Sequence, residues 1–274
     1  SALSGGFRYF NLGSIPLVGD DPSQNLGTSN PKEFSFELGY SLKISDKFGV
    51  GITGRYINSN LGSGVQSDGT NYKTGNAFAA DLSGYYNGLD ESGKGLTAGL
   101  TLSNLGTKIS YSTDPDSKTF LPANIGLGAA YHAVMDDENK LTFALDVDHL
   151  LVPKYPQYHQ STDADSSIYK QDQADYYSTS TVSGWGKSFS NSAYAFSFGA
   201  EYGYNDLFFL RAGYHAETEA QGDMHYFTAG VGIKYNVLNF NFAYLAPSGS
   251  GINRNPLSNT LRFSLVFDLG SQNQ

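Results

Sequence analysis

From Phe34 to Ile44 every second residue is apolar: Phe34, Phe36, Leu38, Tyr40, Leu42 and Ile44, with Ser35, Glu37, Gly39, Ser41 and Lys43 between them. Ser45, Asp46 and Lys47 form a turn, and Phe48, Val50, Ile52, Gly54 and Tyr56 resume the alternation. A period of two gives each strand one face suited to an apolar medium and one suited to a polar medium. Each run is about 11 residues long, roughly twice the usual globular strand. The same pattern recurs along the chain. It predicts twelve strands, over 3–13, 33–44, 48–59, 74–87, 95–104, 122–134, 141–151, 193–204, 207–218, 224–236, 239–246 and 258–269. No window carries an apolar stripe of helical period, so no long helix is expected.

The connections alternate in length. Those at 45–47, 88–94, 135–140, 205–206 and 237–238 are short and rich in Asp and Asn. Those at 14–32, 60–73, 105–121, 152–192 and 247–257 are long, and only 219–223 is short on that side. A meander sends alternate connections to opposite ends. Short turns at one end and long loops at the other are the pattern of an outer-membrane barrel, with the short turns periplasmic. Aromatic residues gather at strand ends, Phe48, Tyr204, Phe208, Tyr235 and Phe240 by the short turns and Tyr9, Phe34, Tyr56, Tyr214 and Tyr244 by the long loops. They read as girdles at the two membrane interfaces. The fold expected is therefore all-β: a transmembrane antiparallel up-and-down outer-membrane β-barrel, one domain over residues 1–274. The long loops would be extracellular and the C-terminus periplasmic. The competing fold is a soluble β-sandwich, which would use shorter strands and bury its apolar faces against each other.

Composition changes this picture only at its edges. Mean hydropathy is −0.33, and no apolar run reaches the length of a membrane helix. Neither fact bears on a barrel, whose strands dilute each apolar residue with a polar one. The 274 residues include 20 Tyr, 18 Phe and no Cys, which excludes disulfides and thiolate chemistry. The net charge of −9 argues against a nucleic-acid partner. The first residues, Ser1-Ala2-Leu3-Ser4, lack the basic start and apolar core of a signal peptide; the chain begins inside a strand.

Inward-facing positions carry charges of both signs, among them Arg8, Glu37, Arg55, Asp81, Asp146, Asp148, Glu201, Arg211, His215 and Glu217. A lumen laced with ion pairs and water accounts for them; a selectivity or ligand site is the sharper reading. His132 and His215 are the candidates for a hydrolase, but no G-x-S-x-G elbow accompanies them, and no catalytic residue is assigned. Gly186-Lys187-Ser188 imitates the end of a phosphate loop, yet Thr181 stands where its first Gly belongs. Asp163 to Ser167 imitates a calcium loop, with Ile168 and Ala174 in place of the required Gly and Glu. Calcium on Asp163, Asp165, Asp172 and Asp175 would be adventitious; no metal or other cofactor is expected. Segment 152–192 holds Tyr155, Tyr158, Tyr169, Tyr176, Tyr177 and the only tryptophan, Trp185. Tyr and Trp are enriched where proteins touch, so this segment reads as a partner-contact loop, with a plain flexible lid as the alternative.

The ordered series "NPKEFSFELGYSLKISDKFGVGITGRYINSNL", "FLPANIGLGAAYHAVMDDENKLTFALDVDHLLVP", "EYGYNDLFFLRAGYHAETEAQGDMHYFTAGVGIKYN" and "NPLSNTLRFSLVFDLG" resembles the PorV (LptO) family. These are outer-membrane components of the Bacteroidetes type IX secretion system, within the wider group of FadL-like barrels. The resemblance is densest in the strands and weakest in 60–73 and 152–192. It implies a 14-stranded barrel with an N-terminal hatch, so the hatch and two first strands are expected to lie outside this chain. It implies a non-enzymatic role: binding the C-terminal signal domain of secreted cargo, association with the SprA (Sov) translocon, and delivery to the attachment complex containing the PorU sortase. Outer-membrane lipid and lipopolysaccharide would surround it. Partner contacts are expected at Val152, Pro153, Tyr155, Trp185, Asn255 and Pro256, although Val152-Pro153 and Asn255-Pro256 also serve as strand punctuation. The alternative is a FadL-type channel for fatty acids or other hydrophobic compounds, which calls for an apolar lumen pocket. A general porin comes third and calls for a loop folded into the lumen.

Overall fold

Strands form where the alternation places them. The computed structural model describes residues 1–18, 25–62, 66–67, 70–114, 117–158, 167–248 and 259–268. Its strands are β1 (Ala2–Asn11), β2 (Ile15–Val18), β3 (Asn25–Ser29), β4 (Lys32–Lys43), β5 (Phe48–Asn60), β6 (Gln66–Ser67), β7 (Thr70–Asn71), β8 (Gly75–Leu89), β9 (Gly95–Gly106), β10 (Asn124–Val134), β11 (Asn139–Leu150), β12 (Tyr194–Tyr204), β13 (Phe208–Glu217), β14 (His225–Tyr235), β15 (Leu238–Pro247) and β16 (Leu261–Phe267). Two helices, α1 (Ser167–Ser178) and α2 (Thr181–Ser188), lie between β11 and β12. Twelve strands make one antiparallel sheet in the order β1-β4-β5-β8-β9-β10-β11-β12-β13-β14-β15-β16, and β2–β3 and β6–β7 are small hairpins inside the long loops. The sequence-based strands match the large sheet one for one. The sheet is not closed: β1 and β16 are its edges, and among the described residues no pairing joins them. In lipid the bare N–H and C=O groups of such edges need partners.

The short turns are held by their own side chains. Asp90 Oδ1 accepts from the backbone N–H of Ser92 (2.9 Å) and of Lys94 (3.0 Å). Asp136 Oδ1 accepts from the N–H of Glu138 (2.9 Å) and of Asn139 (2.7 Å). Asn205 and Asp206 both sit at positive φ (54° and 52°), the conformation that two-residue hairpin turns demand and that Asn and Asp tolerate.

The two faces of the sheet differ as the pattern requires. Outward side chains are bare: Leu38, Ile44, Phe78, Leu127 and Phe263 are each more than half exposed. A soluble sandwich would bury this face, and its exposure belongs to a wall that meets lipid. On it, rings form a row across four strands, with Phe7 and Phe36 4.8 Å apart and Tyr56 and Phe78 5.3 Å apart. The buried apolar core is small and lies on the inner side, at the long-loop end. There Ala77 and Ala79 of β8 are covered by Ile109 and Leu121 of segment 107–123, with Ile57 and Tyr111 packed alongside.

Candidate functional site

Two constructions stand out, one in the inner wall and one in the long connection after β11. The wall site begins with register. Glu37 on β4 lies opposite Arg55 on β5, and the β8–β9 register slips between Ala80 and Leu82, which leaves Asp81 facing two residues. That bulge puts Asn104 at φ 55° and turns its side chain inward. Arg55 then donates to Glu37 Oε2 (3.0 Å), to Asp81 Oδ2 (2.6 Å) and to Asn104 Oδ1. Asp81 Oδ1 also accepts the Asn104 backbone N–H at 2.8 Å, and Asn104 Nδ2 donates to Pro122 O at 3.1 Å. Arg8 adds one long contact, 3.4 Å to Glu37 Oε1. The sequence supplied the charges, while the bulge that joins them to segment 107–123 has no hydropathy signal. A cavity of about 540 Å³ opens beside this network, lined by Phe10, Ile57, Ile109, Tyr111 and Leu121 as well as by Arg8, Glu33 and Arg55.

Farther round the wall His215 links Ser197 (Oγ to Nδ1, 2.9 Å) and Glu217 (Nε2 to Oε1, 3.2 Å). The order serine–histidine–carboxylate is that of a nucleophilic triad. Its surroundings are not: Ser197 pairs with Asp146 on its other side, and strand N–H groups are spent on the ladder. A developing oxyanion would meet a carboxylate there rather than donors. His132 is held between Thr97 (3.1 Å) and Thr142 (3.1 Å), as part of the wall.

The second construction overturns the expectation of a structureless 152–192. Helix α1 has almost no apolar face of its own; tyrosines hold it. Tyr155 packs edge-on against Tyr176, ring centres 5.0 Å apart, and its hydroxyl accepts from Gln173 Nε2 at 2.7 Å. Tyr155 and Tyr177 hydroxyls are 3.4 Å apart, and Tyr158 meets Tyr169 edge-on. The hydrogen bond with Tyr155, together with burial, pushes the Tyr177 phenol up to about 12. Burial raises Tyr176 as well. Helix α2 is capped by Ser180, whose hydroxyl accepts the Ser183 N–H. Both helices rest on segment 107–123: Phe120 meets Tyr176 edge-on at 5.4 Å, and an added Cβ on Gly184 would sit 2.5 Å from Phe120 Cε1. Lys108 Nζ donates to Tyr177 O (2.9 Å), at the end of α1 where carbonyls lack helical partners, and lies 4.1 Å over the Phe120 ring. Burial, with Lys118 nearby, pulls its ammonium below the usual lysine value.

The expected contact residues separate accordingly. Tyr155 is the hub of the tyrosine cluster. Trp185 sits half-buried on α2 and, among the described residues, stacks on none of those tyrosines. Pro153 is buried and Val152 half-buried just after β11, which favours strand punctuation. Asn255 and Pro256 lie outside the described residues, as do Asp163 and Asp165. Asp175 accepts from Gln171 at 3.0 Å. Gly186-Lys187-Ser188 ends α2 instead of preceding a helix. Sequence reading missed Lys108, Phe120 and Gly184, whose roles exist only once segment 107–123 meets the helices.

The exposed apolar outer face, polar inner face and meander topology define an outer-membrane β-barrel protein. Known proteins narrow this. The family model for type IX secretion system protein PorV matches residues 1–157, more than half of the chain, and the chain belongs to that family. Solved structures similar to it include the Ralstonia pickettii toluene transporter TbuX, with 12% identity over 96% of this chain and 75% of that one and a TM-score of 0.47. The P. putida toluene transporter TodX gives 12% identity over 89% and 70%, with a TM-score of 0.46. A Rhodopseudomonas blastica porin gives 10% over 91% and 86%, with a TM-score of 0.34. No curated protein matches the sequence. The chain is thus an outer-membrane component of type IX secretion.

Proposed function

We propose that this protein is a non-enzymatic docking component of type IX secretion. It binds the C-terminal signal domain of cargo, associates with the SprA/Sov translocon, and passes cargo to the attachment complex containing PorU. The long loops face the cell exterior and the C-terminus faces the periplasm. The observation that carries the reading is the tyrosine-built arm α1–α2 on the long-loop side, in a chain of the PorV family. Exposed tyrosines offer large, stiff contact area at low entropic cost. Tyr155, Trp185 and the exposed Tyr158 are the contact residues proposed on this arm; Val152, Pro153, Asn255 and Pro256 are further proposed contacts, the last two outside the described residues.

The test is capture of purified cargo signal domains by the protein in detergent. Tyr155→Ala with Tyr158→Ala should weaken capture at least about tenfold, the effect of losing one hot spot. Unchanged capture by that variant removes the arm from the docking role; no capture by the wild-type protein removes the cargo role itself.

A further inference from the structure

We propose that α2 is an interfacial helix, lying along the membrane surface at the long-loop end with its apolar face in lipid. Val182, Trp185 and Phe189 follow helical spacing and share one face, while Ser183 and Lys187 share another. The packing of α2 is the reverse of that of a helix folded for water. Its buried residues are Gly184 and Ser188, which hide almost no apolar surface. Its large apolar side chains are left out: Val182 is 70% exposed and the capping Phe189 63%. A helix of eight residues does not persist on propensity alone and needs its apolar face covered.

The neighbouring surface says what covers it. Phe189 stacks on His149 with ring centres 5.2 Å apart, His149 packs against Tyr194 at 4.6 Å, and Tyr194 stacks on Phe196 at 6.4 Å. His149 stands opposite Ile125 and Tyr194, at the end of the alternation that turns Leu145, Phe196 and Phe198 outward. The row therefore lies on the lipid side of the wall, and Phe189 carries it past the ends of β11 and β12. The His149 ring is 4% exposed and donates from Nδ1 to Ala193 O at 3.0 Å, which fixes it beneath Phe189. On its buried flank α2 rests through Gly184 on Phe120. Ser183 and Lys187 stay exposed on the remaining side, where headgroups and water would meet them. Trp and Phe on one face and a cation on another are the composition of helices that lie at a membrane surface. A protein partner would have to displace lipid from a face continuous with the lipid-facing wall, so lipid is the occupant assigned to it.

Trp185 is the only tryptophan, so its emission reports on α2 alone. The full chain is reconstituted into phosphatidylcholine vesicles with or without bromine on the acyl chains close to the headgroup. Bromine quenches by contact from the lipid side, and acrylamide quenches from water. Shallow bromine should lower the emission about twofold or more, as for a ring seated about 5–10 Å into the headgroup boundary, and acrylamide should act weakly. Val182→Asn with Phe189→Asn should remove about half or more of the bromine effect and strengthen that of acrylamide. Val182→Leu with Phe189→Leu should preserve both, and the compact gel band of unheated protein verifies that each variant folds. Equal emission in brominated and plain vesicles overturns the proposal: with strong acrylamide quenching the face stands in water, and with none it is covered by protein. Bromine quenching that survives both asparagines in folded protein overturns the assignment to this face. The proposal does not rest on cargo binding, which Tyr155→Ala with Tyr158→Ala tests separately, so either can fail alone.

Discussion

Arg55 joins β4, β5, β8 and, through Asn104, segment 107–123. Its side chain is 12% exposed, whereas Arg8, bonded once to the same Glu37, is 71% exposed. Removing one member of a buried pair leaves the other charge stranded, while a wet pair contributes little. Arg55→Met should therefore destabilise the folded barrel by about 3 kcal/mol, the low end for a stranded buried charge because Glu37 and Asp81 stay partly wet. Arg8→Met should cost less than about 1 kcal/mol. Urea-dependent loss of the compact gel band, measured for both variants, checks the contrast. The turn carboxylates carry a pH dependence. Asp90 is held below its ordinary value, first by the Ser92 hydroxyl and then by the Lys94 backbone N–H, and Asp136 first by the Asn139 side chain and then by the Glu138 N–H. A depressed carboxylate stabilises its turn above the unfolded value and loses that contribution as pH falls through the folded one. Amide protection at Ser92 and Lys94 should hold above about pH 4 and fade as the pH drops below it. Protection that stays flat down to about pH 2 would contradict the assignment.

At the scale of elements, the two helices and the twelve strands were legible to different degrees. Strands such as β4 and β5 were readable because the membrane enforces alternation residue by residue. Helix α1 was not, because its partners are remote: Tyr155 and Phe120 hold Tyr176, and neither lies on the helix. The inward fold of 107–123 left a faint trace, Ile109, Tyr111, Phe120 and Leu121 within a mostly polar connection, but nothing in the sequence names Ala77 and Ala79 as their seat. Among the proposed contact residues Tyr155 was legible as an aromatic in a long loop, while buried Pro153 looked the same on paper. Two substitutions test the arm's attachment. Gly184→Val forces a side chain into Phe120, and overpacking of this kind costs about 1–3 kcal/mol. It should lift α2 and speed tryptic cleavage at Lys187 severalfold. Lys108→Met removes the ammonium from the end of α1, a loss of about 0.3–1 kcal/mol. Amide exchange over Ser167–Ser178 should rise modestly, with strand exchange unchanged. Cleavage and exchange rates equal to wild type would detach the arm from segment 107–123.

For the whole molecule, the two faces of one sheet divide the work. The outer face meets lipid with bare Phe, Leu and Ile; the inner face carries ion pairs such as Arg55 with Glu37 and Asp81 and Arg211 with Glu201, and seats its own segment near one end. Short turns hold one end, and the other end carries the loops and the arm. The reading proposed for such a body is a docking platform in the outer membrane, with the partners of protein export. That role is tested by the protein content of culture medium and cell surface after deletion of the gene, with the chain returned on a plasmid. Many proteins bearing type IX signal domains should disappear from both fractions, accumulate inside the cell envelope, and reappear on complementation. Normal secretion in the deletion strain, together with a failure to take up hydrophobic nutrients, would contradict the export role and favour a channel for such compounds.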